Sequence, residues 1–379
     1  MKILLLGEYS NVHATLAEGL RKLGHDVTVA SNGDFWKDYP RDIDVSRPAG
    51  RLGGLRLLTR IYRLLPQFKG FDIVQLINPL FFELKAERLF PIYRYLRSHN
   101  RKVILCAMGM DYYWVHECLT GKPLRYSDFN IGDQLRTDAP AVSARIDWLG
   151  TAKERLNRMI ADDCDAIVSG LYENHVCYEP YYSQKLRYIP LPIKNEELKK
   201  ENAEGVASQK RERSGNEESS SSKLRLFIGI SRGRSAYKGT DIMLQAAEAI
   251  KKKYPDRIEI VKAEGVPFGQ YQHMMNHCDA ILDQLYSYTP SMNPLLAMSK
   301  GIVCIGGGEP ENYAILGEQE LRPIVNVMPT YDSVFHELEL LVLHPERLPQ
   351  LKEQSIKYVS RHHDYLKVAA QYAALYKEL

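Results

Sequence analysis

Residues 227–241 read Phe-Ile-Gly-Ile-Ser-Arg-Gly-Arg-Ser-Ala-Tyr-Lys-Gly-Thr-Asp, and they contain the passage from a strand to a helix. The apolar run 226–230 predicts a buried strand, and Thr240 is a good N-cap for a helix whose apolar face runs from Ile242 to Ile250. The basic loop between them therefore lies at the carboxyl edge of a predicted α/β sheet, where such sheets bind ligands. Its Arg and Lys side chains can hold a diphosphate through charge-assisted hydrogen bonds of about 1.5–3 kcal/mol each. The alternative is a solvated basic loop.

This loop resembles the Gly-Arg…Lys-Gly element of family 4 glycosyltransferases. The resemblance implies an α/β fold with two Rossmann-like domains facing across a cleft, the GT-B arrangement. It also implies that an Arg and a Lys grip the diphosphate of a sugar nucleotide. Lys238 takes the lysine position, because Lys-Gly-Thr-Asp opens the following helix. Arg232 and Arg234 bracket the arginine position, and Arg232 is preferred. The nucleotide sugar is then a substrate, and no separate cofactor is expected.

A second stretch, residues 291–308, resembles the family's helix with the pattern E-A-M-x-x-G-x-P-V, followed by a strand and a Gly-rich turn. The start of such a helix offers free backbone N–H groups and the positive end of the helix dipole. Ser291, Met292 and Asn293 lie at this start and are predicted to cradle a phosphate. The alternative is a helix cap with no ligand.

The chain departs from the family where two glutamates are expected eight positions apart. Those positions hold Tyr288 and Leu296, and neither is a carboxylate. Glu309 and Glu311, after the triple glycine, are candidates to bind the sugar or ribose instead. Asp283 with the following glutamine, at the end of a predicted strand, is another candidate. The alternative for each acid is an ordinary surface residue.

Three residues of the N-terminal half are candidate catalytic groups. Glu8 and His13 follow the first strand, which ends without a G-x-G-x-x-G pattern, so a dinucleotide site is not favoured. The segment 108–111 resembles the family's H-G-x-D turn. Met108 replaces the histidine, and Asp111 matches the aspartate. The resemblance favours retaining hexosyl transfer, which needs no enzyme base. An inverting enzyme would need one, and Asp111, Glu8 or His13 would supply it. For His13 the alternative is a capping or packing histidine.

The alternation of strands and helices predicts the domain organisation. We expect an N-terminal acceptor-side domain at 1–194, a flexible linker or insertion at 195–223, and a C-terminal nucleotide-sugar domain at 224–360. The helix at 361–379 is expected to cross back to the first domain, as in GT-B proteins. The alternative is a helix packed within the second domain. The linker prediction rests on Lys- and Glu-rich sequence followed by four serines, which leaves little to bury.

Composition and charge indicate the cellular location of the protein and the kind of partner it binds. No run approaches the ~18 apolar residues of a membrane-spanning helix, and the six cysteines form no C-x-x-C pair, which favours a reducing cytosol and disfavours a zinc site. Residues 47–102 carry twelve Lys and Arg against three acids, which indicates an anionic partner for one face. On a helical wheel of residues 51–69, Arg56, Arg60 and Arg63 share one side. A helix with such a basic side can lie on an anionic bilayer. The alternative is a surface helix with an apolar core face.

The predicted function is therefore a cytoplasmic glycosyltransferase, peripheral at the inner membrane face. It moves a sugar from a nucleotide-diphosphate donor to a glycan or lipid-linked acceptor in surface polysaccharide synthesis, with no metal and no nucleic-acid partner. The alternative is a catalytically silent GT-B protein that binds nucleotide sugar or glycan as a partner subunit. A GT-B sugar-nucleotide epimerase is disfavoured, because no cluster of acids and histidines surrounds the predicted donor loop.

Overall fold

The structure, a computed structural model, describes residues 1–194, 223–231 and 233–379. Contacts divide the chain into two compact units, one comprising Met1–Pro192 with Tyr365–Leu379 and the other Ile193–Asp364. Most of the predicted linker, residues 195–222, lies outside the described residues, and so does Arg232.

Strands and helices alternate through both units. The strands are β1 (Lys2–Leu6), β2 (Asp26–Ser31), β3 (Ile43–Asp44), β4 (Ile73–Leu76), β5 (Lys102–Ala107), β6 (Asn130–Ile131), β7 (Gln134–Leu135), β8 (Ala166–Ser169), β9 (Leu186–Tyr188), β10 (Leu224–Ile230), β11 (Ile258–Glu264), β12 (Ala280–Leu282), β13 (Val303–Gly306) and β14 (Val325–Asn326). The helices are α1 (Val12–Lys22), α2 (Gly53–Leu64), α3 (Ala86–His99), α4 (Tyr112–Leu119), α5 (Ala139–Trp148), α6 (Ala152–Asp163), α7 (Tyr172–Tyr182), α8 (Ser235–Lys238), α9 (Thr240–Lys253), α10 (Phe268–Asn276), α11 (Met292–Ser299), α12 (Pro310–Leu316), α13 (Tyr331–Leu343), α14 (Leu348–His362) and α15 (Tyr365–Glu378).

Each unit is built on a parallel sheet. In the first, the strand order is β3-β2-β1-β4-β5-β8-β9, and in the second it is β11-β10-β12-β13-β14. The central strands are continuous apolar runs, such as the fully buried segment 3–6 of β1. Parallel sheets covered by helices on both faces require such runs. The hairpin of β6 and β7 is antiparallel and separate from both sheets.

Helix α15 belongs to the first unit, where it packs along α1. The two helices approach closely at Gly19, because a Cβ there would lie 2.7 Å from the Cβ of Ala369. Three tyrosines of α15, Tyr365, Tyr372 and Tyr376, are buried. The Tyr376 hydroxyl donates to Oε1 of Gln75 on β4 at 2.7 Å. The helix therefore completes the core of the first unit.

One local prediction about the basic loop was wrong. Thr240 is the first residue of α9 and not its N-cap, which is Gly239 at a φ of 71°. A short helix, α8, precedes it, and Gly239 is the single residue between the two helices. Only glycine adopts this left-handed conformation without strain, and a Cβ here would also lie 2.8 Å from the side chain of Leu285.

None of the described helices combines the length and apolar character needed to cross a membrane.

Candidate functional site

The second unit has a topological switch point between β10 and β12. Strand β10 pairs with β11 on one side and with β12 on the other, so the connections that follow these strands diverge. In open α/β sheets the crevice at such a point, outside the carboxyl ends of the strands, is where ligands bind. The loop after β10, which carries Lys238, and the loop after β12, which begins at Asp283, flank this position.

Lys238 ends α8 beside the switch point. Its main-chain carbonyl accepts a hydrogen bond from the amide of Leu285 at 2.9 Å, which fastens the loop after β10 to the loop after β12. Its side chain is half-buried. The two predicted arginine candidates differ: Arg234 is exposed, with its guanidinium 5.4 Å from the centre of the Tyr237 ring, and Arg232 lies outside the described residues.

Asp283 lies directly after β12 and is half-buried. Burial raises its pKa to about 6, and the nearby positive charge of Lys238 opposes this rise. Burial raises the pKa of Tyr271 on α10 to about 12, and the Asp283 carboxyl group adds to this rise. The structure therefore brings Lys238, Asp283 and Tyr271 together at the carboxyl edge of the sheet.

The start of α11 lies next to this group. The side-chain nitrogen Nδ2 of Asn293 donates to the Tyr271 hydroxyl at 3.0 Å, and Met292 is buried. Within the described residues the Ser291 side chain makes no capping hydrogen bond. Tyr271 in turn covers β10 at Gly229, where a Cβ would lie 2.7 Å from the Tyr271 hydroxyl. The sheet edge, α10 and the first turn of α11 thus form one polar surface.

The residues at the two expected glutamate positions are packed into the unit. Tyr288 is fully buried and Leu296 is half-buried. Glu309 is 4% exposed, so it is not an ordinary surface residue. Its carboxylate accepts a hydrogen bond at 3.2 Å from the side chain of Asn326, which also accepts one from the amide of Gly308 at 2.9 Å. Glu311 is half-buried in the first turn of α12.

In the first unit the switch point lies between β1 and β4, since β1 pairs with β2 on one side and with β4 on the other. Glu8 follows β1 and is buried. Its carboxylate accepts hydrogen bonds from the amides of His13 at 3.2 Å and Ala14 at 2.8 Å, so it satisfies two free N–H groups at the start of α1. Burial raises its pKa to about 7.

Both ring nitrogens of His13 are engaged inside the unit. Nδ1 donates to the carbonyl of Gly7 at 2.8 Å, which leaves Nε2 as the acceptor for the amide of Gln75 at 3.1 Å. Burial lowers the pKa of His13 to about 4, so the ring is neutral at physiological pH. The hydrogen bond from Tyr376 to Gln75 extends this network to α15. The ring therefore has no nitrogen left for a substrate while the network holds.

Asp111 is the N-cap of α4. One carboxylate oxygen accepts from the amide of Trp114 at 2.8 Å, and the other accepts from the hydroxyl of Tyr178 at 2.8 Å. Burial raises its pKa to about 6. Its position at the carboxyl end of β5 is the one that sequence reasoning assigned, but both oxygens are used to hold α4 and α7.

Two features of this sheet edge were not predicted. The loops after β1 and β2 contain residues with positive φ, and backbone strain of this kind tends to cluster at functional sites; they are Ser10, Asn11, Asp34, Phe35 and Asp38. The exposed aromatic pair Phe35 and Trp36 lies in the second of these loops, and both side chains are more than 60% exposed. The sequence signal was the turn-forming run Asn-Gly-Asp at 32–34.

The basic helix α2 has an inward and an outward face. Leu57 and Ile61 are fully buried, so part of its apolar face is core. The outward face carries Arg56 and Arg63 together with exposed apolar side chains, including Leu55 at 60% exposure.

Comparisons with known proteins give structural relatives only. No family model matches the chain, and no curated protein matches it. HepE from Anabaena, solved in complex with UDP and glucose, is 12% identical with a TM-score of 0.59, and both chains are covered completely. The UDP-GlcNAc 2-epimerase from Neisseria meningitidis, solved with UDP-GlcNAc, is 13% identical with a TM-score of 0.56, also at full coverage. The sucrose-phosphate synthase from Thermosynechococcus elongatus is 11% identical with a TM-score of 0.60, and 100% of this chain and 99% of that chain are covered. The predicted fold class, α/β with two Rossmann-like domains of the GT-B type, is confirmed.

Proposed function

We propose that this chain is a glycosyltransferase that moves a sugar from a nucleotide-diphosphate donor to a glycan or lipid-linked acceptor. The observation that carries the proposal is the switch point of the second unit, where Lys238 and the start of α11 lie at the carboxyl edge of a parallel sheet. The full-length likeness to proteins solved with UDP and with UDP-GlcNAc supports the same assignment.

In this proposal the second unit stabilises the leaving group. Transfer of the sugar places negative charge on the departing diphosphate. Lys238, the predicted Arg232 and the free N–H groups at Ser291, Met292 and Asn293 are the groups that would offset this charge. Donors fixed before the reaction need no reorganisation as the charge develops, which is why such sites accelerate group transfer.

The state of the three candidate bases favours retention in this proposal. The carboxylate of Asp111 and the ring of His13 are both held by hydrogen bonds inside the unit. Glu8 differs from these two in its pKa of about 7, which suits a general base at neutral pH. A retaining enzyme would use none of the three, and an inverting one would use Glu8.

The test is a binding and turnover screen on the full chain. Thermal-shift assays with UDP, GDP, ADP and their glucose esters should show a selective rise in melting temperature for one base. Nucleotide release in the presence of oligosaccharide or polyprenyl-phosphate acceptors then measures transfer. Failure of every nucleotide to bind by calorimetry would contradict the proposal.

Two other functions are supported by particular observations. Tyr288 and Leu296, at the positions of the family's two glutamates, favour a silent protein that binds nucleotide sugar without transfer. The likeness to the Neisseria epimerase supports an epimerase instead. Incubation with the sugar nucleotide that the screen selects, together with an acceptor, separates the three. An epimerase gives an epimer of the sugar nucleotide, a transferase releases the nucleotide and adds the sugar to the acceptor, and a silent protein leaves both compounds unchanged.

We also propose that α2 attaches the protein weakly to an anionic membrane from the cytoplasmic side. At about 1 kcal/mol per basic residue near the surface, Arg56, Arg60 and Arg63 together supply about 3 kcal/mol. Exposed Leu55 and Tyr62 lie among them on the helix. Co-sedimentation with phosphatidylglycerol vesicles should be lost at high salt and in the triple Glu variant of the three arginines. Binding that survives both changes would contradict this attachment.

A further inference from the structure

Asp283 differs from other acids that flank the strands of the two sheets. Asp279, at the opposite end of β12, accepts hydrogen bonds from the amide of Arg225 at 2.9 Å and from Nζ of Lys352 at 2.6 Å. Asp165, before β8, accepts from the amide of Val103 at 2.8 Å and from basic side chains. Both of these acids, at the amino ends of their strands, are held by donors of the protein.

The carboxyl group of Asp283 has no such donor. Within the residues that the structure describes, no group hydrogen-bonds or ion-pairs with it, although Lys238 and Tyr271 are close enough to interact with it electrostatically. A half-buried acid without hydrogen-bond donors costs stability, because water is only partly available to replace them. This cost is characteristic of a group whose partner is a ligand.

The neighbours of Asp283 restrict what this ligand group can be. An ionised carboxylate accepts hydrogen bonds and donates none. Diphosphate oxygens are also acceptors and are negatively charged, so they would be drawn to Lys238 and repelled by Asp283. The complementary partner is a neutral donor close to the diphosphate, and in a nucleotide sugar this means the hydroxyl groups of the ribose or of the transferred sugar.

We infer that Asp283 is the acid that binds hydroxyl groups of the sugar-nucleotide donor, a task that Tyr288 and Leu296 cannot perform at the positions where the family has glutamates. The inference rests on the proposed function. It places the hydroxyl-binding acid at the switch point, on the end of a strand, and not on α11.

Calorimetry on Asp283→Asn tests the inference with three probes: UDP, 2′-deoxy-UDP and UDP-glucose, or the same series of the base that the screen selects. If Asp283 binds the ribose, the variant should bind UDP and UDP-glucose at least ten-fold more weakly than the wild type does. Its affinity for 2′-deoxy-UDP should equal that of the wild type. If it binds the transferred sugar, only UDP-glucose should weaken, again by at least ten-fold. Unchanged affinity for all three probes overturns the inference and leaves the proposed function intact.

Two further measurements make the outcome unambiguous. Asp279→Asn removes the same charge from the other end of β12 and should leave every affinity unchanged. Wild-type affinity for UDP-glucose, whose diphosphate does not titrate near neutrality, should fall at least five-fold between pH 7.5 and 5 as Asp283 gains a proton. Tyr271 and Cys304, which also lie near Asp283, have raised pKa values and do not ionise in this range. Among the residues that the structure describes, Lys238 is the charged group that acts on the pKa of Asp283. Wild-type protein that binds no nucleotide refutes the proposed function itself.

Discussion

Replacing Asp283 with asparagine should make the protein more stable at neutral pH. The pKa of Asp283 is raised to about 6 from 3.8, mainly by burial. Because each pKa unit corresponds to about 1.4 kcal/mol, ionising this group in the folded state costs up to about 3 kcal/mol. Partial exposure to solvent reduces the cost, and we expect about 1–2 kcal/mol. The asparagine side chain has nearly the same shape and carries no such cost.

The sign of the effect depends on pH in a defined way. Well below pH 3.8, the ordinary pKa of this carboxyl group, it is protonated in both the folded and the unfolded chain, so wild type and variant should be equally stable. Between pH 4 and 6 the unfolded chain ionises first, and wild-type stability should fall relative to the variant. Above pH 6 the full difference should be present. The comparison isolates Asp283, since Glu8 and Asp111, whose pKa values are also raised, are common to both proteins.

Melting curves of the two proteins at pH 4.5, 5.5, 6.5 and 7.5 measure this difference. For a unit of the size of Ile193–Asp364, 1–2 kcal/mol corresponds to a rise in melting temperature of about 2–8 °C at pH 7.5. Asp279→Asn is the matched control and should lower the melting temperature, because it weakens a hydrogen-bonded ion pair with Lys352. A variant less stable than wild type at pH 7.5, or a gain that persists unchanged at pH 4.5, would refute the reasoning.

Three further changes have expected outcomes. Lys238→Ala should weaken nucleotide binding, measured by calorimetry, ten- to a hundred-fold, because one charged hydrogen bond is lost. Lys253→Ala on the surface should leave the affinity unchanged. If Lys238→Ala binds nucleotide as tightly as the wild type, Lys238 is not part of the site. Glu309→Ala should lower the free energy of unfolding in urea by about 1–3 kcal/mol, because the half-buried side-chain amide of Asn326 loses its acceptor, and Glu311→Ala should cost less. The reverse order would contradict this assignment. Asp111→Ala should cost about 1–3 kcal/mol in the same assay, since a helix cap and a buried tyrosine hydroxyl both lose their partner, and a neutral result would leave its oxygens free for another role.

The strands of the sheets could be predicted from the sequence because a buried parallel strand is a continuous apolar run. Such a run is recognised without knowing which distant residues it contacts. The predicted strand 224–230 matches β10, and the predicted helix 240–253 matches α9. Position at a strand end led to Lys238 and Asp283 as candidates, and their roles stay predictions. One local prediction was wrong. Gly239, and not Thr240, caps α9, because the short helix α8 ends at Lys238 and leaves Gly239 as the single residue between the two helices.

Burial of the polar candidates could not be predicted, because their partners are far away in sequence. His13 is held by Gln75, 62 residues later, and that amide is held by Tyr376, a further 301 residues on. Glu309 follows three glycines and precedes a proline, which is typical of an exposed loop. Its partner is Asn326, at the end of a two-residue strand too short to show any periodicity.

The packing of α15 against α1 has a consequence for the order in which the chain folds. All contacts within the second unit come from one continuous stretch, Ile193–Asp364, so this unit can fold as soon as that stretch has left the ribosome. The first unit is synthesised earlier but lacks α15 until the second unit is complete. Until then the surface around Gly19 and the amide of Gln75 stay uncovered. The half of the protein that is made first is therefore the half that finishes folding last.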